Sequence, residues 1–319
     1  MHQKKQLHIC IYIFLSLFFI LHYKISFAQE AGYFNYTIKE GLPSQVVYCI
    51  HQDSEGYLWF GTDAGLCRFD GRTFENYSMD EGLSDNEILR IFEDSRHRLW
   101  FFTLNGNINY FYKGKIYNPE NSKILLDARN TSSYLSFLED ADHNLWFGTF
   151  SGQMLEITTG NQVIKFDLAK KFKDPVYGRI FIALNEQNQV CLTFGNDILE
   201  LHTGKTLIKN LHQEINIYAS QNPGVIIYIG EQSLMMLRNG KTKALLPVDK
   251  IPADLMRIYI DSKDNVSLLR KNNVLIEYRK SGNDFLADSI KLKSQVSQVW
   301  RDRDGNTWYS TLGSGIYMR

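Results

Sequence analysis

The chain has 319 residues, 44% of them apolar and 22% charged, with 35 basic residues matched by 35 acidic ones. These figures fit a globular protein with a sizeable core and exclude a disordered or collagen-like chain. They also lack the clustered basic excess of a nucleic-acid binder, so no nucleic-acid partner is expected.

In chain order, the first feature is a targeting pattern. Lys4 and Lys5 precede an apolar run from Ile9 to Leu21, and Ser26-Phe27-Ala28 forms a cleavage-site pattern before Gln29. The run of 13 residues is shorter than the roughly 18 to 20 that a spanning helix needs. Residues 1–28 therefore read as a cleaved signal peptide, with the remainder delivered to the periplasm. Gln29, rather than Cys, offers no lipid attachment. Without that segment 32 basic residues face 35 acidic ones, and three cysteines remain: Cys49, Cys67 and Cys191. An odd number without short spacing is neither a disulfide framework nor a metal site, so these are expected as buried hydrophobes.

A repeated phrase dominates the rest. It reads Asp53-Ser-Glu-Gly-Tyr-Leu-Trp59-Phe-Gly-Thr62, then recurs from Asp94 through Trp100, from Asp140 through Trp146 and from Asp302 through Trp308. In the first copy, Val46 to His51, Leu58 to Thr62, Gly65 to Phe69 and Arg72 to Ser78 read as four short strands. The turn residues between them complete the blade of a β-propeller. The Asp is expected to accept backbone N–H groups in the first turn. Three residues on, Gly56, His97, His143, Asn188, Asp264 and Gly305 occupy a position that calls for a left-handed backbone. The Trp six residues after the Asp is large enough to fill the wedge between adjacent blades.

Three further units are placed by spacing, with turn positions at Asn185, Ser220 and Asp261. The intervals are then 41, 46, 45, 35, 41 and 41 residues, and 291 residues over seven units is about 42 each. The ends supply the closure: Tyr33 to Leu42 matches Phe74 to Leu83 at an offset of 41, so it is a fourth strand without the preceding three. The last unit ends at Gly315 to Arg319, a third strand without a fourth. The expected fold is all-β: a seven-bladed β-propeller over 29–319 whose N-terminal strand, 32–38, completes the last blade, 294–319.

These residues resemble the two-component regulator propeller repeat. The first unit carries its Gly-Leu-Pro/Ser start (Gly41-Leu-Pro-Ser-Gln45), its Trp-centred middle (Asp53 to Thr62) and its Gly-Leu-x-Arg-Phe-Asp-Gly end (Gly65 to Gly71). The second and third units match in part, the seventh in its middle, and the fourth to sixth by spacing alone. The resemblance implies the periplasmic sensor of a Bacteroidetes-type, often hybrid, histidine kinase. In such receptors two propellers commonly precede an immunoglobulin-like domain, a membrane helix and the kinase. This sequence holds one ring, so the resemblance leaves two expectations: the N-terminal part of a receptor, or a free periplasmic propeller. Any membrane association would come through a parent receptor.

A repeated position belongs to the fold, and chemistry belongs where copies differ. Asp53, Trp59, Asp94, Trp100, Asp140, Trp146, Asp302 and Trp308 are therefore structural, as are His97 and His143 in the turn. His51 is matched by Phe92, Leu138 and Trp300 in other units, which argues for packing. Neither His-Glu-x-x-His nor Gly-x-Ser-x-Gly occurs, so no catalytic residue, metal or cofactor is expected. The turn aspartates fall one per blade, which does not suit the paired carboxylates of a glycosidase.

The edge opposite these turns gathers the second-to-third and fourth-to-first connections, where the units differ. Gln45, Asp63, Asp85, Asn86, Asn105, Phe150 and Tyr177 are its candidate ligand-binding residues, since amides, carboxylates and an aromatic face suit a hydroxyl-rich ligand. The competing reading is that short polar residues there cap turns. The leading functional expectation is a sensor of a polar ligand, with oligosaccharide first by analogy, acting through a second propeller or a homodimer partner. The alternatives are a protein-binding scaffold and a propeller lyase.

Overall fold

The computed structural model describes residues 32–173, 178–209, 218–220, 223–282 and 284–319. The signal-peptide reading therefore lies outside the described residues, as does Tyr177. Within the described residues the strands form seven sheets.

The first blade is built from Val47–Gln52, Leu58–Thr62, Leu66–Phe69 and Phe74–Tyr77, each antiparallel to the next. The second runs from Ile88–Glu93 to Lys115–Tyr117, the third from Tyr134–Glu139 to Val163–Phe166, and the fourth from Ile182–Leu184 to Thr206–Ile208. In the last blade Phe34–Tyr36 pairs antiparallel with Ile316–Met318, with Asn35 opposite Tyr317. The orphan strand completes the sheet and leaves no open seam there.

The fifth and sixth sheets depart from the expected four strands. The fifth has three, Val225–Ile229, Ser233–Arg238 and Lys241–Pro247. Tyr218–Ser220 instead runs parallel to Leu255–Ile260, making the sixth sheet five-stranded. Ser220, assigned by spacing to a turn position, thus ends a strand. This unit has neither the turn carboxylate nor the Trp that hold a first turn against its own sheet elsewhere.

The turn reading holds in the other six units. The N–H four residues after Asp53, Asp94, Asp140, Asn185, Asp261 and Asp302 donates to that side chain's Oδ1 at 2.8–2.9 Å. Gly56, His97, His143, Asn188, Asp264 and Gly305 all have positive φ, between 59° and 99°. The four repeated Trp side chains bury into the seams. Trp308 packs with Phe60 and Phe69 across the seventh and first blades, and Trp59 with Phe101 and Phe111 across the first and second. Trp100 packs with Phe147 across the second and third blades, and Trp146 with Ile182 and Leu192 across the third and fourth. The sixth and seventh blades are joined by polar contacts. Tyr259 donates its hydroxyl to the Val296 carbonyl at 2.7 Å, and Arg301 pairs with Asp261 at 3.1 Å.

A second repeated contact ties neighbours together on the turn edge. The N–H after the turn Asp donates to the last side chain of the next blade's first strand: Ser54 to Glu93, Ser95 to Glu139 and Arg303 to Gln52. His97 and His143 set their Nδ1 atoms beside the same carboxylates, at 3.3 and 2.9 Å.

Candidate functional site

Six of the seven candidate residues lie among the described residues. Asp85 and Asn105 meet: Asp85 Oδ2 accepts the Asn105 N–H at 3.2 Å, and Asn105 Nδ2 donates to the Ser84 carbonyl at 3.1 Å. Asn86 Oδ1 accepts the Met79 N–H at 3.0 Å, tying the fourth-to-first connection to a short 3₁₀ turn at Met79–Glu81. The Gln45 carbonyl accepts from the Gly313 and Gly315 N–H groups, at 3.1 and 2.9 Å, anchoring the last blade to the first. Asp63 is exposed; after burial, the charges of Glu87 and Asp63 raise the pKa of the Tyr48 phenol. Phe150 is 37% exposed, with the Arg179 guanidinium 5.7 Å from its ring centre.

Phe150 stands next to a feature that the sequence did not indicate. A groove of about 720 Å³ on the same edge is lined by Arg129, Asn130, Thr131, Ser151, Gln153, Lys165 and Asp167, among others. Its walls are the connection into the third blade, that blade's second-to-third turn and the exit from its fourth strand. Lys165 Nζ crosses to the Arg129 carbonyl at 2.8 Å, and Arg129 Nε donates to Asn107 Oδ1 at 3.1 Å. Its volume lies in the range of small-molecule sites, and its lining mixes both charges with amide and hydroxyl groups.

A second cavity, of about 130 Å³, lies among the first strands. It is lined by His51, Arg90, Phe92, Phe137, Gln298 and Trp300, with Pro223, Gly224 and Val225 along one side. The Gly224 N–H donates to the Phe137 carbonyl at 3.1 Å, so this segment reaches the first strand of the third blade. The His51 and Trp300 rings meet at 5.3 Å, consistent with the packing role read from the sequence. Burial pushes the His51 pKa down to about 3. None of the six candidate residues that are described lines this cavity. It draws on residues from several blades, many of them at positions that individually look like core.

Cys49, Cys67 and Cys191 are free and buried, and burial pushes each thiol up to about 12. Among the described residues no three His, Cys, Asp or Glu side chains converge in a metal-binding group, and no helix is long and apolar enough to cross a membrane.

A ring of seven sheets sealed by its first strand, with an Asp-to-Trp phrase in four of them, defines a repeat-built β-propeller. Three segments, 41–64, 82–105 and 128–151, match the family model described as "Two component regulator propeller". Among solved structures it resembles the extracellular domains of two hybrid two-component systems from B. thetaiotaomicron. The identities are 17% and 18%, with a TM-score of 0.62 in both cases and 90% of this chain covered. The chain spans only 41% and 39% of those two structures. A streptogramin B lyase shares the fold to the same degree, at 16% identity and TM-score 0.62 over 90% of this chain and 96% of the lyase. At these identities the likeness concerns the fold alone. A search of curated protein sequences finds no match.

Proposed function

We propose that this chain is an exported, periplasmic sensor propeller of a two-component regulatory system that recognises a polar ligand, with an oligosaccharide as the first candidate. The observation that carries the reading is the groove of about 720 Å³ on the edge where the blades differ. Its Asn130, Thr131, Ser151 and Gln153 supply paired donors and acceptors for hydroxyl groups, while Lys165 and Asp167 set a charge at either side. The repeat family and the two-component ectodomains of like fold support a sensing role. Occupancy of the groove would be relayed by a change in packing against a second propeller or a second copy of the chain.

Binding rather than catalysis suits the polar groups of the repeat. The turn carboxylates are committed to backbone N–H groups and indoles, and His97 and His143 to the seam carboxylates. A protein-binding scaffold is the second reading, favoured by Leu286 and Phe34, both 65% exposed on the outermost strands of the sixth and seventh blades.

Calorimetry against a panel of plant and host oligosaccharides tests the first reading. Binding should weaken at least about tenfold, or 1.4 kcal/mol, in Gln153→Ala combined with Thr131→Ala. Heat from no member of the panel would sink the oligosaccharide reading. Affinity untouched by that pair would move the site away from the groove.

A further inference from the structure

The sequence holds five tryptophans. Four donate their indole N–H to a turn aspartate, at 2.6–2.8 Å. The fifth, Trp300, is 7% exposed, lines the 130 Å³ cavity, and its buried Nε1 finds no hydrogen-bond partner among the described protein groups. The same is true of His51 Nε2 in the same cavity. Two unmet polar nitrogens on side chains lining one cavity are unusual, because a buried donor without an acceptor carries a desolvation cost that no hydrogen bond offsets. An indole N–H can only donate, and a neutral imidazole donates through Nε2 in one of its tautomers. Each can therefore serve an acceptor.

The charge in this region has one predominant sign. Arg90 contributes to the lining, and Arg257 and Arg179 lie close enough that, after burial, their charges help lower its pKa. An arginine keeps its proton all the same, so a guanidinium stands at the cavity. One of its N–H groups goes to the Leu89 carbonyl at 2.9 Å. The one carboxylate of the lining, Glu93, already accepts from the Ser54 N–H and hydroxyl, at 2.7 and 2.5 Å, on the seam. Of the other polar residues in the lining, Ser136 donates its hydroxyl to the Ile180 carbonyl at 2.7 Å and Gln298 Oε1 accepts the Ile50 N–H at 2.9 Å, while Phe92, Phe102, Phe137 and Phe181 supply an apolar wall.

We infer that the central cavity is a binding site for a small monocarboxylate. Its anionic head would accept from Trp300 Nε1, His51 Nε2 and Arg90, and its short alkyl tail would lie against the phenylalanines. A cavity of about 150 Å³ takes a molecule of about six heavy atoms, so an acid of about four carbons is the expected size. A buried carboxylate needs both charge and hydrogen bonds to offset lost hydration, and this set provides both. The site is distinct from the edge groove and stands whatever that groove binds.

The test uses the full chain carrying ¹⁵N-labelled indoles, with sodium butyrate as the probe. The Trp300 resonance is identified by its loss in Trp300→Phe. Butyrate up to about 20 mM, above a millimolar Kd, should move that resonance saturably and leave the other four in place. The neutral isostere butyramide and sodium chloride should not. Arg90→Gln should weaken butyrate at least about tenfold, and Arg90→Lys less, with the four turn-bound indoles reporting an intact fold in both. A Trp300 signal unmoved by butyrate overturns the inference, as does an equal shift with butyramide or chloride, or undiminished affinity in Arg90→Gln. Oligosaccharide calorimetry is blind to this site, so the two proposals fail separately.

Discussion

The indole N–H of Trp59 donates to Asp53 Oδ2 at 2.6 Å, while Asp53 Oδ1 takes the Tyr57 N–H at 2.9 Å. One carboxylate thus fixes both the turn and the side chain that fills the seam. The last blade repeats this: Asp302 Oδ2 receives Trp308 Nε1 at 2.7 Å and Asn306 Nδ2 at 2.8 Å. The fourth blade shows why an amide suffices elsewhere. Cys191 stands there in place of Trp, and Asn185 Nδ2 donates to Gln189 Oε1 at 2.9 Å. Asp302→Asn would set its NH₂ against a donor in either orientation of the amide, because both carboxylate oxygens accept, and should cost about 2 kcal/mol; Asp302→Ala should cost about 3. Urea midpoints read both, and a neutral Asp302→Asn would contradict the indole contact.

Ring closure depends on a glycine. A Cβ on Gly315 (φ +71°) would fall 2.1 Å from the Tyr36 carbonyl oxygen, just as one on Gly65 would fall 2.2 Å from that of Tyr77. Gly305 also has positive φ, +92°, but a Cβ there would meet nothing within 4 Å. Both Gly→Ala changes carry the cost of φ, and only Gly315→Ala drives the closing strand away. It should lose about 2 kcal/mol more than Gly305→Ala. Amide exchange at residues 34–36 should accelerate in that variant alone. Equal losses would mean that the seam does not rely on this approach.

The seven-sheet ring was legible because its cause is repetition: an Asp, a left-handed position and a Trp at fixed spacing can be read without knowing any partner. The inter-blade hydrogen bonds were legible only in retrospect. Glu93 and Glu139 each end a first strand directly before a turn Asp, and Ser54 and Ser95 each follow one, but a strand-end Glu alone does not say that it faces the next blade. The displaced strand at 218–220 had no signal, since its unit has lost the residues that define register. The central cavity was hidden for a different reason. His51 and Trp300 occupy equivalent positions, where Phe92 and Leu138 are plain core, and only the assembled ring shows that two of these side chains leave a nitrogen unmet.

The seam carboxylate should show in the acid limb of stability. Burial alone would raise the Glu139 pKa, but the Ser95 hydroxyl, the Ser95 N–H and His143 together hold it below the ordinary value. The folded chain therefore releases this proton more readily than the unfolded one. The seam's contribution is complete above the unfolded value and fades as pH falls through the lower, folded one. Glu139→Gln should lose about 1 kcal/mol at neutral pH, and the gap should narrow as the buffer is taken into the acid range. A gap constant with pH would show that the carboxylate's charge is immaterial there.

His51 gives a steeper test at milder pH. The folded chain holds its imidazole neutral, with burial first and the Arg303 charge second pushing the pKa from 6.5 to about 3. Between those two values the unfolded chain binds a proton that the folded chain refuses, so stability falls as pH drops through that window. The slope from this group is at most about 1.4 kcal/mol per pH unit. His51→Phe places here the residue that the second blade already carries at this position, Phe92, against the same Trp300 neighbour. That variant should match the parent within about 1 kcal/mol at pH 7.5 and exceed it as the pH is lowered toward 5. Parallel urea midpoints across that range would mean that the imidazole is hydrated or paired in the folded state, and the donor assigned to it in the cavity would then be taken by something other than a ligand.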